Sequence, residues 1–234
     1  MTHPLVARLR DGDPAARRQA CAQAARDPSA VLLVDALCDA LGDPERAVAR
    51  AASDALAAIG ARDPGVAPRL SAALRGERPT ARCRAALTLA RLEPPKPRLM
   101  PALIEGLGHA DRELRWSSAR ALVELGRLSP EVLPVLLHFA AEGEHPAARR
   151  MAVVALRELA PDRPETTRAL LAASRCADLE VRRAALPALA AVMEHTGDAA
   201  ARLREAAASD EDAACRRLAA AALDALSARS GPPR

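Results

Sequence analysis

Leu114-Arg-Trp-Ser-Ser-Ala-Arg-Ala-Leu-Val-Glu-Leu-Gly126 decides the fold, because the chain repeats it in altered form. The clearest other copies are Val48-Ala-Arg-Ala-Ala-Ser-Asp-Ala-Leu-Ala-Ala-Ile-Gly60 and Val181-Arg-Arg-Ala-Ala-Leu-Pro-Ala-Leu-Ala-Ala-Val-Met193. With the first residue of each copy as position 0, seven copies begin at 16, 48, 81, 114, 148, 181 and 215, at intervals of 32 to 34 residues. Self-similarity at this period is the signature of a solenoid, in which each repeat buries its apolar face against the next. On a helix, positions 0, 4, 7, 8 and 11 fall on one arc. That arc holds Val48, Ala52, Ala55, Leu56 and Ile59 in the second repeat, and Leu114, Ser118, Ala121, Leu122 and Leu125 in the fourth. Its small residues let neighbouring helices approach closely.

A second apolar segment precedes these copies: Val31-Leu-Leu-Val-Asp-Ala-Leu37, Leu99-Met-Pro-Ala-Leu-Ile104, Val132-Leu-Pro-Val-Leu-Leu137 and Thr167-Arg-Ala-Leu-Leu171. Each repeat therefore reads as a hairpin of helix A then helix B, and no alternating strand pattern competes. The expectation is an all-α chain of about seven helical hairpins forming one domain over 1–234. Repeat 1, about 3–27, is an amino-terminal cap; repeats 2–7 cover about 29–228; and 229–234 is a frayed tail.

Prolines punctuate the pattern. Asp13-Pro14, Asp43-Pro44, Asp63-Pro64 and Ser129-Pro130 read as a capping residue followed by proline at the first helical position, where its missing N–H loses nothing. Pro68, Pro101 and Pro134 recur at an interval of 33 within helix A, and together with Pro187 in the sixth helix B they predict bends.

Composition narrows the class further. Of the 34 basic residues only Lys96 is a lysine, and acids and bases mix along the chain to a net charge of +4, so bulk charge does not demand a nucleic-acid partner. The five cysteines are scattered and never form C-x-x-C, which argues against a disulfide framework or zinc site and for a reducing compartment. Met1–Arg10 carries no long apolar run and no 18-residue apolar stretch occurs, so a cytoplasmic protein with no membrane partner is expected.

A proline within helix A, an acidic turn at Asp43-Pro44, Asp111 or Asp178, and Val-Arg-x-x-Ala-x-x-Ala-Leu at the start of helix B together resemble the HEAT repeat family, in particular the short bacterial HEAT-like repeats also found in phycobilin lyases. The resemblance covers about residues 3–228. It implies a HEAT/ARM-like right-handed alpha-alpha superhelix and is specific for fold, not for function. The first repeat lacks the leucine positions, and Ala49 replaces the usual arginine of the second.

Two rows of arginine emerge when the repeats are aligned. Position 1 carries Arg17, Arg82, Arg115, Arg149, Arg182 and Arg216. The resemblance implies that this row pairs with acidic turn residues of its own or an adjacent repeat. Position 2 lies opposite the buried arc and holds Arg18, Arg50, Cys83, Trp116, Arg150, Arg183 and Arg217. Helix B lines the concave surface of HEAT solenoids, so the resemblance turns this row into a groove. Leu87, Arg120 and Val154 at position 6, with Val123 and Arg157 at position 9, complete it. Leu87, Val123 and Val154 are expected to gather around Trp116, the single tryptophan, inside an arginine rim, the anatomy of a binding hot spot.

Catalysis finds little support. His109 and His145 stand one repeat apart in turns, short of the three converging ligands a metal site needs. Glu144-His145 and Glu194-His195 reverse the His-Glu order of HEAT-like di-iron hydroxylases and lie 50 residues apart, not a multiple of the repeat. A resemblance to HEAT-like alkylpurine DNA glycosylases rests on Trp116 and Arg150, but Arg120 stands where that family places an aspartate, one turn after the tryptophan. Scarce aromatics also argue against base stacking. The expectation is a non-enzymatic protein–protein interaction scaffold without cofactor or metal, its groove holding an acidic or acidic-apolar segment of another protein. Backbone binding of nucleic acid along the arginine row is the alternative.

Overall fold

The computed structural model describes residues 3–192 and 197–229, with side chains described as far as Ala225 in the last helix. Fourteen α-helices, and no strand, occur among the described residues. In chain order they alternate as seven pairs of a helix A followed by a helix B. The A helices are α1 (Pro4–Leu9), α3 (Val34–Ala40), α5 (Val66–Ala73), α7 (Met100–Leu107), α9 (Val132–Glu142), α11 (Pro164–Ala173) and α13 (Gly197–Ser209). The B helices are α2 (Pro14–Ala24), α4 (Arg46–Gly60), α6 (Pro79–Leu92), α8 (Arg112–Leu128), α10 (Pro146–Leu159), α12 (Leu179–Ala191) and α14 (Ala213–Arg229). Every B helix begins two residues before position 0 of its repeat. The periodicity therefore locates these helices to the residue.

The chain divides into two compact units, Met1–Gly106 and Leu107–Arg234, with the boundary at the end of α7. Within each, A helices pack on neighbouring A helices and B on B: α2 on α4 and α4 on α6 in the first, α8 on α10, α10 on α12 and α12 on α14 in the second. Apolar burial drives this, at about 1.5–3 kcal/mol for each fully buried leucine. Val48, Ala52, Ala55, Leu56 and Ile59 are all at most 2% exposed, as the arc predicts. Burial also extends to a flank the arc left out, at Ala86, Ala119 and Val153, because a B helix packs against its neighbouring B helices as well as its own A helix.

Close approach of B helices explains two glycines. A Cβ built at Gly60 would stand 2.6 Å from the Leu92 side chain, and one at Gly126 would stand 2.5 Å from that of Leu159. In both pairs position 12 of one repeat receives position 11 of the next.

The position-1 arginines do more than pair with acids. Arg17, Arg82, Arg115, Arg182 and Arg216 each donate from one Nη1 to the carbonyls five and six residues earlier, stapling the turn between their own A and B helices. Arg149 instead holds the carbonyls of Ala140 and Ala141 at the end of α9. Three of the row also reach an acid of the following repeat: Arg17 to Asp43 at 2.7 and 2.9 Å, Arg82 to Glu105 at 3.0 and 2.6 Å, and Arg182 to Glu211 at 2.9 Å. Asp43 is held below the usual carboxylate range by the Arg17 guanidinium and the Glu45 N–H, against the opposing effect of burial. The second repeat, where Ala49 stands in the row, is served from the next one. Arg78 donates to the carbonyls of Asp39 and Gly42 at 2.8 and 3.1 Å, and Gly42 leaves room for it, since a Cβ there would meet the guanidinium carbon at 2.7 Å.

Several proline expectations need correction. Pro68, Pro101 and Pro134 fall in the first turns of α5, α7 and α9, where backbone N–H groups have no intrahelical acceptor, so they start these helices and break no hydrogen bond within them. Of the four capped prolines only Pro14 sits at the first helical position, with Asp13 accepting from the N–H groups of Ala15 and Ala16. Pro44 precedes α4 by two residues, and Pro64 and Pro130 occupy turns before α5 and α9. Pro187 is inside α12 as expected and gives no N–H to the carbonyl of Arg183. At the carboxyl end, α14 runs one residue into the stretch expected to fray, and the remainder lies outside the described residues.

Candidate functional site

In the second unit, the stacked helices α8, α10 and α12 present position 2 as Trp116, Arg150 and Arg183. These three side chains line an open cleft of about 580 Å³. Arg112, Arg115 and Arg157 bring the guanidinium groups to five, Val154, Ala184 and Pro187 give an apolar floor, and Glu180 is the single carboxylate. Trp116 is 41% exposed, so its ring is offered to solvent at the cleft wall.

The charges are unequally satisfied. Arg183 donates from Nε and Nη2 to Asp212 at 3.3 and 3.1 Å, and from Nη1 to Glu180 at 3.0 Å. Asp212 also accepts from the Cys215 N–H at the start of α14. The Arg183 guanidinium and this N–H hold the Asp212 carboxyl down to about 2. Arg150 donates to the other oxygen of Glu180 at 3.2 Å. Arg112 and Arg157 have no ion pair among the described residues.

Of the expected groove residues, Trp116, Arg150, Val154, Arg157 and Arg183 meet in this cleft. Val123 does not: at 1% exposure it belongs to the packing, because the flank of α8 is covered where B helices approach one another. Arg120 and Arg217 are exposed but outside the cleft lining. Arg50, exposed, and Leu87, half-buried, belong to the first unit. The position-2 row is also broken at Cys83, which is fully buried. Arg112, Arg115, Glu180, Ala184 and Pro187 also line the cleft and are not among the expected groove residues. At 100° per residue, Arg112 and Glu180 lie one turn before position 2 on the same side of their helices, so extending the pattern toward the amino terminus finds them. Pro187 occupies position 6, so it faces the cleft as well as interrupting the hydrogen bonds of α12.

A smaller cleft in the first unit, about 390 Å³, is lined by Arg26, Asp27, Val31, Arg62 and Asp63 among others. Its charges balance and are largely engaged: Asp27 faces His3 at 3.4 Å and Arg62 donates to the carbonyl of Ala25. His109 and His145 do lie at neighbouring turns, but as turn residues. The His109 ring accepts from the Asp111 N–H, and His145 precedes α10. Among the described residues no three His, Cys, Asp or Glu side chains converge as a metal site, and no helix is long and apolar enough to cross a membrane. Glu194 and His195 lie outside the described residues.

Stacked helical hairpins with a shared arginine staple define a helical repeat protein of the alpha-solenoid class. More specifically, the chain belongs to the HEAT repeat family, whose model matches residues 2–79 and 66–157. Comparison with curated proteins finds no match. Among solved structures the chain is similar to the complex of CpcE and CpcF of phycocyanin lyase from Nostoc sp. PCC7120, at 26% identity over 68% of this chain and 99% of that one, with a TM-score of 0.47. It is also similar to human deoxyhypusine hydroxylase, at 23% identity over 96% and 83% of the two chains and a TM-score of 0.41. An engineered protein matches at 20% identity over 97% and 68%, with a TM-score of 0.47.

Proposed function

We propose that the chain is a non-enzymatic interaction scaffold whose second unit holds an acidic or acidic-apolar segment of another protein in the cleft of α8, α10 and α12. One observation carries this reading: five arginines and a single carboxylate surround the protein's only tryptophan. Guanidinium forks match carboxylates in bidentate geometry. The half-exposed face of Trp116, above Val154 and Pro187, offers an apolar partner side chain a place to lose its water. None of the five cysteines is in a disulfide, which fits a reducing cytoplasmic setting.

Nucleic-acid binding is the weaker reading, because Glu180 and Asp212 neutralise two of the arginines of the second unit, and buried Cys83 gives the row of the first unit no charge in the third repeat. Salt separates the two. An anchored acidic segment loses at least about 2 kcal/mol of affinity on Trp116→Ala, the size of a hot-spot truncation, and tolerates moderate salt. Phosphate-backbone binding ignores that substitution and weakens steeply as salt rises. Unchanged partner affinity in Trp116→Ala refutes the anchor.

A further inference from the structure

We propose that Glu180 is an internal stand-in for the partner's carboxylate, which an incoming acidic side chain must displace. This inference rests on the reading of the cleft as an acidic-segment site. Glu180 spans two B helices, giving one oxygen to Arg150 at 3.2 Å and the other to Arg183 at 3.0 Å. That is the bridging arrangement a ligand carboxylate takes between two guanidinium groups.

Glu180 differs from the other acid at the cleft. Asp212 is committed to the fold, since it accepts from the Cys215 N–H and its side chain is 21% exposed. Glu180 is 56% exposed and, among the described residues, accepts from the two arginines and from no backbone N–H. Nor does α12 depend on it for a cap, because Asp178 already accepts from the Val181 N–H at 3.0 Å. An exposed ion pair contributes only up to about 1 kcal/mol, so Glu180 keeps the arginines ordered and partly neutral yet leaves them exchangeable. Released, its side chain turns into solvent beside α12, and the ligand acid bridges Arg150 and Arg183 while its apolar neighbour meets Trp116.

The test titrates the full chain with a capped peptide of four glutamates around one leucine, read by the emission of Trp116. Glu180→Gln, which keeps shape and removes charge, is expected to bind about three- to tenfold tighter than wild type, the gain from removing one or two exposed pairs. Glu158→Gln raises net charge equally on α10 outside the cleft lining and is expected to bind as wild type. Glu180→Ser is expected to match Glu180→Gln and serves if that variant is poorly folded. Equal or weaker binding by both Glu180 variants at an unchanged melting point, with wild type still binding, overturns the stand-in and leaves the scaffold reading intact. So does an equal gain in Glu158→Gln. No binding by any of the four proteins sinks the scaffold reading, and this inference with it.

Discussion

Replacing Arg182 tests whether the arginine row is a turn staple or only a set of ion pairs. Arg182 is 7% exposed and donates to the carbonyls of Cys176 and Ala177 at 3.0 and 2.9 Å. It also donates to Glu211, which is 84% exposed and therefore contributes little. Its Nη2 donates at 3.4 Å to Asp210, a carboxylate only 5% exposed, while its Nε stands 3.4 Å from the other oxygen without meeting hydrogen-bond geometry. Arg182→Ala thus strands two turn carbonyls and leaves the buried Asp210 carboxylate without its cation, held by the Asp212 N–H at 3.0 Å. Breaking a buried pair costs about 3–5 kcal/mol, and the poor Nε geometry puts this site at the low end, ~3 kcal/mol. Lysine has one ammonium where the fork has three nitrogens, so Arg182→Lys recovers about half. Arg149 provides the comparison: it has no ion pair among the described residues and holds only the carbonyls of Ala140 and Ala141. Two such bonds put Arg149→Ala at about 1–3 kcal/mol. The assay is urea denaturation followed by circular dichroism, with hydrogen exchange at the turns, because repeat arrays need not unfold in one step. An Arg182→Ala loss below about 1 kcal/mol, or a neutral Arg149→Ala, refutes the staple.

Three further outcomes are expected. Asp212 has a carboxyl held down to about 2 by Arg183 and the Cys215 N–H, so its contribution is fully present above the ordinary carboxylate value near 4 and is lost as pH falls through about 2; Asp212→Asn flattens the acid limb of a stability–pH curve between those values. Gly126→Ala pushes a Cβ to 2.5 Å from Leu159, and overpacking of about 1–3 kcal/mol exceeds the gain of up to about 1 kcal/mol from helix propensity; calorimetry should show destabilisation that falls markedly when Leu159→Ala is the background. Burial pushes the Cys21 thiol up to about 11 and the Cys38 thiol up to about 12, the latter aided by Asp35 and Asp39; mass spectrometry should find both unalkylated by iodoacetamide at pH 8 until denaturant is added.

Much of this was legible because a solenoid repeats its packing. Each B helix starts two residues before the position set by the 33-residue pattern, and the arc from Val48 to Ile59 is buried throughout. What escaped has physical reasons. Angular position on one helix does not say which neighbour covers a flank, so Val123 and Cys83 were expected in the groove and are packed. Proline spacing was clear, but whether a proline interrupts a helix or begins it depends on where the first helical turn forms, as Pro68 and Pro134 illustrate. The carbonyl partners of the arginine row were invisible, because a sequence shows side-chain acids such as Asp43 and not the backbone acceptors of a turn. Arg78 replacing the missing arginine of the second repeat was hidden for the same reason. Five of the ten expected groove residues line the cleft. They share three adjacent B helices; Arg120 and Val123 are also on α8 but outside the lining, and Arg50, Leu87 and Arg217 belong to other helices.

With one tryptophan and no tyrosine, the emission of Trp116 reports the cleft without labelling. Titrating the protein with the capped glutamate–leucine peptide should give a saturable change in that emission, abolished by Arg150→Glu with Arg157→Glu at an unchanged melting point. Emission that stays flat to millimolar peptide, or a response that survives reversal of both arginines, contradicts the assignment of this cleft as the binding surface.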